Sequence, residues 1–315
     1  MAQEVNGPSL KCNICGGTQT TLLSKVYDVK LRDDLTVYVL HRCCDCGFVF
    51  IDPCQVSPKR DYYGDPYYSF TPFSGKQIEK WKRSVMPEKR SKVVLDVGCG
   101  SGAWLYQRKL EGHEVWGLEI DDRAATAGRE SGLNIVKTVD ELPDGRFDLV
   151  HMSHVLEHTA EPTGMMAAIR QKLRPGGEIL ILVPNVDSVK FLRTRMISGL
   201  LDVPRHLVFF SVDSMGLMLE NSGYTIERLD CVPVPSFFRE FAGDLRRFLV
   251  YSSKAKPGFG HIASLLFWAI FIRLYKPSRA GRANDWILAQ AHRPAESASA
   301  VVRNARTERT GVVRH

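Results

Sequence analysis

The chain has 315 residues, is 44% hydrophobic, and carries a formal charge of +7. That is too apolar for a wholly disordered chain and long enough for one large domain beside a small one. The mild basic excess suits nucleic acid, an anionic membrane or an anionic substrate, but part of it lies in a C-terminal tail, where Arg303, Arg306, Arg309 and Arg314 face few acids. No basic region followed by an apolar core opens the chain, so its eight cysteines are expected in a reducing compartment and to serve metal rather than disulfides.

In chain order, residues 1–55 hold two C-x-x-C-G turns, Cys12-x-x-Cys15-Gly16 and Cys43-x-x-Cys46-Gly47, around a β-like stretch from Val26 to His41. Each turn sets two thiolates on one side of a knuckle, and the following glycine lets amides turn back toward sulfur. Cys12, Cys15, Cys43 and Cys46 are therefore expected to close a tetrahedral, structural zinc site, a small zinc ribbon. Cys44 competes with Cys43, but only Cys43 keeps the paired spacing with Cys46. Residues 56–90 form a connector rich in tyrosine, with Tyr62, Tyr63, Tyr67, Tyr68 and Phe70, ending in a polar helix near Lys76 to Val85. The aromatics either cap a site or pack between domains.

From Lys92 strands and helices alternate: strands at 92–97, 114–119, 134–138, 147–151, 178–183, 224–231 and 285–291, helices at 102–111, 122–131, 162–173 and 212–222. This alternation predicts an α/β domain over 91–292 with a parallel, doubly wound sheet and helices on both faces. Ligands of such sheets sit at the carboxyl ends of the strands. The turn after the first strand, Asp96-Val97-Gly98-Cys99-Gly100-Ser101-Gly102, lies there. Its glycines admit positive φ and close approach of a ligand, and the helix behind offers free N–H groups. The glycine spacing alone also fits a dinucleotide site. Asp96 argues otherwise, because a carboxylate repels a pyrophosphate and attracts a sulfonium. Glu119, ending the second strand, suits two ribose hydroxyls.

Further along come Phe147-Asp148-Leu149-Val150, then His154-Val155-Leu156-Glu157-His158, then Leu173-Arg174-Pro175-Gly176-Gly177, then Pro184-Asn185. With the glycine turn these resemble the class I S-adenosylmethionine-dependent methyltransferases over about 92–232, in the branch of the ubiquinone and bacterial sugar-pathway enzymes. The C-x-x-C ribbon and Pro204-Arg205-His206-Leu207 extend the resemblance to the sugar-associated members. It implies a doubly wound, seven-stranded Rossmann-like methyltransferase sheet with a small N-terminal zinc-ribbon domain. It also implies a donor site of Asp96, Gly98, Cys99, Gly100, Gly102, Glu119, Thr138, Val139 and His154. Thr138 stands where an aspartate is common, and Cys99 is expected to fill space.

The expected cofactors are S-adenosylmethionine and structural Zn2+, and the expected acceptor is a small molecule: a sugar nucleotide, glycan or lipid-linked precursor. A base for an acceptor hydroxyl would be His158, His154 or His206, with His158 first because the family's E-H pair sits there; its plainer reading is a structural histidine. Glu157 would orient the donor loop or a histidine. No carboxylate–histidine cluster suggesting a catalytic metal stands out.

Two insertions interrupt the domain, at 186–210 over the strand ends and at 236–283. Within the second, residues 262–276 combine an apolar run with Arg273 and Lys276, which suits a buried helix, a dimer contact or an interfacial membrane helix. The basic tail 293–315 is expected to be disordered. The expected localisation is cytoplasmic, with peripheral contact at the inner membrane face as the alternative. An RNA methyltransferase whose ribbon grips nucleic acid is a competing reading, weakened because basic and acidic residues balance over 11–54. A methyltransferase-like binding protein without turnover is another.

Overall fold

The computed structural model describes residues 10–28, 36–56, 72–84, 90–188, 191–192, 201–232 and 284–295. The connector tyrosines, the second insertion with residues 262–276, and the tail beyond residue 295 lie outside the described residues. Among the described residues no helix is long and apolar enough to cross a membrane.

The main sheet has seven strands: β4 (Val93–Val97), β5 (Glu114–Leu118), β6 (Asn134–Val136), β7 (Phe147–Ser153), β8 (Leu173–Pro184), β10 (Thr225–Val232) and β11 (Trp286–His292). Their spatial order is β10-β11-β8-β7-β4-β5-β6. The five strands from β4 to β8 run parallel, while β11 is antiparallel to both β8 and β10. Helices α2 (Ala103–Leu110), α3 (Asp122–Glu130), α4 (Pro162–Lys172) and α5 (Val212–Asn221) connect the strands, and α1 (Gly75–Ser84) precedes them. Central strands buried on both faces need continuous apolar runs. Val93-Val94-Leu95 on β4 and Ile179-Leu180-Ile181-Leu182-Val183 on β8 supply them, with Val94, Leu95, Ile179, Ile181 and Val183 fully buried. Ser211 caps α5 by accepting from the Ser214 amide.

The strands and helices fall within a few residues of their expected places, except that β8 starts at Leu173 rather than at residue 178. Gly176 takes φ +74° there, and a side chain at Gly177 would meet the Phe147 carbonyl at 2.8 Å. The Pro-Gly-Gly corner thus runs as an irregular extension of the strand, with a register shift against β7. Arg293, at the start of the expected tail, is held at this corner: its Nη1 donates to the Leu173 carbonyl at 2.6 Å.

The β-like stretch of the ribbon forms two antiparallel strands, β1 (Thr20–Tyr27) and β2 (Val37–Cys43), followed by β3 (Val49–Ile51). The fourth strand of this sheet comes from far along the chain. Residues Val208–Phe209, β9, lie in the first insertion and pair antiparallel with β3. One ribbon face, with Cys12, Ile14, Phe48 and Phe50, shares a core with Leu156, Met166 and Phe210. The other face, with Val26, Tyr38, Leu40 and Val49, is covered by Val186, Phe191, Leu201, Val203 and Phe209 of the insertion.

Candidate active site

Strand β4 delivers Asp96 and the glycine turn to the carboxyl edge of the sheet. Gly98, Gly100 and Gly102 all take positive φ, at 67°, 56° and 82°. A Cβ at Gly98 would lie 2.6 Å from Val155 Cγ2, and one at Gly102 2.2 Å from Leu133 Cδ1. No side chain caps the N-terminus of α2 at Gly102, which leaves its first amides for a ligand. Glu119 ties the turn to β5: its Oε2 accepts from the Gly100 amide and its Oε1 from the Asp121 amide, both at 2.8 Å. Each oxygen keeps a second lone pair for a hydroxyl. Cys99 fills space as expected. Its sulfur stands where a Cβ on Gly117 would fall, 2.6 Å away, and burial pushes its thiol up.

Asp96 is buried, which pushes its carboxyl above the usual range, and it is partnered across the sheet. His151 on the neighbouring strand β7 is hydrogen-bonded through Nδ1 to Asp96 Oδ1 at 2.8 Å. The Trp104 ring stacks on His151 with centroids 4.2 Å apart. Neither His151 nor Trp104 is legible as a site residue, because their meeting depends on the β4–β7 register, Asp96 opposite His151. Thr138 is committed locally. Its amide and hydroxyl both donate to Glu141 Oε1 in a capping box, and Val139 packs against the core.

Beyond β7 the chain turns sharply through His154, which takes φ +56°, a left-handed conformation costing a non-glycine residue roughly 1–2 kcal/mol. A short 3-10 turn, Leu156–His158, follows. Glu157 is 1% exposed. Its Oε1 is bonded to His154 Nδ1 at 2.9 Å, while Oε2 is buried with no hydrogen-bond partner among the described residues. Burial would raise this carboxyl. The His154 bond and the facing His206, His154 and His158 outweigh it, holding Glu157 below the ordinary carboxylate range.

His158 donates through Nδ1 to the Arg205 carbonyl at 2.9 Å. A carbonyl only accepts, so Nδ1 carries the proton and Nε2 of the neutral ring keeps the lone pair. The His206 ring stands edge-on to His158, centroids 4.7 Å apart. Trp286 on β11 stands edge-on to His154 at 4.9 Å. Ligand atoms of Glu157, His158 and His206 all lie within 4.8 Å of one another. This corrects the expectation that no carboxylate–histidine cluster suggests a metal: the three are close enough to share an ion, and His206 reaches the E-H pair only through the fold of the first insertion.

The ribbon thiols also converge. Cys12 and Cys46 sulfurs are 3.5 Å apart, as are those of Cys15 and Cys43, and all four lie within 4.8 Å of one another. A tetrahedral ion with Zn–S arms of ~2.3 Å sets sulfurs about 3.8 Å apart, so the group fits structural zinc. Gly16 and Gly47 take φ +77° and +72°, and the Gly17 amide donates to Cys15 Sγ at 3.4 Å. Burial pushes the thiols of Cys12 and Cys46 up, while hydrogen bonds outweigh burial and lower that of Cys43.

The strand order and the glycine turn define a class I methyltransferase sheet. Residues 74–229 match the family model described as methyltransferase domain. The ubiquinone biosynthesis O-methyltransferase of Erwinia tasmaniensis is 35% identical over 111 residues, 32% of this chain and 46% of that protein. Its namesake from Marinobacter nauticus is 30% identical over 143 residues, 41% of this chain and 59% of that protein. The chain thus spans about half the length of the curated relatives it matches. Phosphoethanolamine N-methyltransferase 2 of Haemonchus contortus, solved with S-adenosyl-L-methionine, has 16% identity and a TM-score of 0.47. That match covers 87% of this chain and 68% of that one.

Proposed function

We propose that the chain transfers the methyl group of S-adenosylmethionine to a hydroxyl of a small-molecule acceptor, a sugar nucleotide, glycan or lipid-linked precursor. The observation that carries this reading is the contact between two turns. Val155, inside the E-H turn, stands directly against Gly98 of the glycine turn, so a donor held at the glycine turn lies beside the Glu157–histidine group. The relatives in ubiquinone biosynthesis support an oxygen acceptor on a lipid-like molecule.

When bound, S-adenosylmethionine supplies an electrophilic sulfonium methyl. The uncapped α2 N-terminus suits its carboxylate, and Glu119 its ribose. Ile120, 80% exposed beside Glu119, offers an apolar face to its adenine, a role that an isolated isoleucine after an acidic strand end does not announce. Asp96 sets a negative charge near the sulfonium, with His151 fixing its rotamer. His158 Nε2 would hold the acceptor hydroxyl and take its proton as the methyl group passes from sulfur to oxygen, the donor sulfur leaving as a neutral thioether. Glu157 stabilises the imidazolium so formed, and His206 and His154 bracket the carboxylate. The close packing of the ribbon, one face in the core and the other under the insertion, supports a small acceptor over a nucleic acid.

The test is transfer of radiolabelled methyl from S-adenosylmethionine into fractionated cell extracts. Label in sugar-nucleotide, glycan or lipid fractions is expected. Label confined to RNA, or no label while the donor binds, contradicts the reading.

A further inference from the structure

We propose that the zinc ribbon is the clamp that sets His206 beside His158, so that the acceptor half of the site depends on zinc and the donor half does not. The inference rests on the methyl-transfer reading only for the names of the two halves.

The segment 205–209 is shared between ribbon and site. Toward the site, the Arg205 carbonyl accepts from His158 Nδ1 and the Leu207 amide donates to the Glu157 carbonyl at 2.7 Å. Toward the ribbon, the Ile51 amide donates to the Leu207 carbonyl at 2.9 Å, and Val208 and Phe209 pair with Phe50 and Val49. The Arg205 guanidinium reaches two chain segments. Nη2 and Nη1 bind the two oxygens of Asp28, at the end of β1, at 2.8 and 3.0 Å, and Nε binds Asp202 at 2.9 Å. The first cysteine knuckle braces the far end of the E-H turn. Asn13 Nδ2 donates to the Ala160 carbonyl at 2.7 Å, and Thr163 Oγ1 donates to the Asn13 carbonyl at 2.9 Å.

Both faces of the ribbon pack on the rest of the chain, but its two cysteine knuckles are joined to each other through the metal site, so metal binding contributes to holding them closed. Without the ion the two knuckles separate. The strand that anchors 205–209 then loses its register, along with the Asp28 partner of Arg205. Asp96, Gly98, Gly100 and Glu119 are held by β4, β5 and α2, which pack in part on Leu105, Val115, Leu133 and Ile135, a cluster with no ribbon residue, while Leu95, Val97 and Leu118 lie in the larger core that the ribbon joins, and none of the hydrogen bonds named above from the ribbon or 205–209 reaches the glycine turn.

The experiment labels histidines with diethyl pyrocarbonate and locates them by mass spectrometry, on the full chain with zinc counted by elemental analysis. Zinc is removed by a chelator, and in parallel by Cys12→Ser/Cys15→Ser. Mercurials are avoided because Cys99 lies in the donor turn. With zinc, His206, only 7% exposed, stays protected. Without zinc, His206 labelling is expected to rise at least tenfold, while His113 in the main domain stays protected and the donor dissociation constant changes less than threefold. Asp28→Asn, with its zinc retained, is expected to expose His206 in the same way. The proposal is overturned if His206 stays protected in verified zinc-free protein, if His113 is labelled together with it, or if the chain purifies without zinc and with His206 protected. Failure of the zinc-loaded protein to bind the donor would count against the methyl-transfer reading instead, since the labelling pattern does not depend on it.

Discussion

Replacing Arg205 with methionine keeps its volume and removes a charge that bridges two buried carboxylates. The Arg205 side chain is fully buried, as is that of Asp28, and Asp202 is nearly so. Burial would lower the guanidinium pKa, but Asp28 and Asp202 more than compensate and hold it well above its usual value. Removing one partner of a buried ionic group costs about 3–5 kcal/mol, because the buried charge that remains loses its strongest compensation. For a domain of this size each kcal/mol lowers the Tm by roughly 2–4 °C, so the expected fall is about 6–20 °C. Calorimetry at neutral pH with zinc present reads it directly. Because the penalty is electrostatic, Arg205→Met/Asp28→Leu/Asp202→Asn should recover most of the loss; asparagine at position 202 tolerates the φ of +29° found there. A loss below about 1 kcal/mol in the single variant, or a triple variant no more stable than the single, would refute the reasoning.

Three further outcomes follow from the site. Glu157→Gln should lower the transfer rate by roughly 10²–10⁴ while leaving donor affinity within threefold. Since Glu157 is held below the ordinary carboxylate range, its ionised form contributes stability above the unfolded value near ~4.3, lost as pH falls through its depressed folded value. Acid titration of the melting temperature should therefore show a shallower low-pH limb in the glutamine variant. Asp96→Asn should act oppositely on stability and function. Burial raises the Asp96 carboxyl, so its charge costs the free protein stability from the unfolded value near ~3.9 upward. The variant should melt higher at neutral pH by calorimetry and bind donor more weakly by titration. Gly98→Ala should cost about 1–2 kcal/mol from its left-handed backbone alone, more from the contact with Val155, as denaturant melts would show, and should weaken donor binding.

Much of this was legible in the sequence, and what escaped shares one physical cause. Residues 93–184 read well because parallel strands and their helices announce themselves by local periodicity. The glycine turn reads well because its backbone demands positive φ at Gly98, Gly100 and Gly102. The convergence of Cys12, Cys15, Cys43 and Cys46 reads well because metal spacing is local within each knuckle. Contacts between distant segments did not read. That β9 would complete the ribbon sheet, that His206 would meet Glu157 and His158, and that His151 and Trp104 would stack above Asp96 are all settled by tertiary register, which leaves no periodic trace. The capping box of Thr138, by contrast, is local, and the sequence Thr138-Val139-Asp140-Glu141 already spelled it out.

The central claim is that the turn from Asp96 to Gly102 is a pocket for S-adenosylmethionine. Isothermal titration of the zinc-loaded chain with S-adenosylmethionine tests it most directly. One saturable site per chain is expected, weakened at least tenfold by Gly98→Ala or Glu119→Ala and unaffected by Glu157→Gln. An absence of binding heat, or binding indifferent to both Gly98 and Glu119, would contradict it.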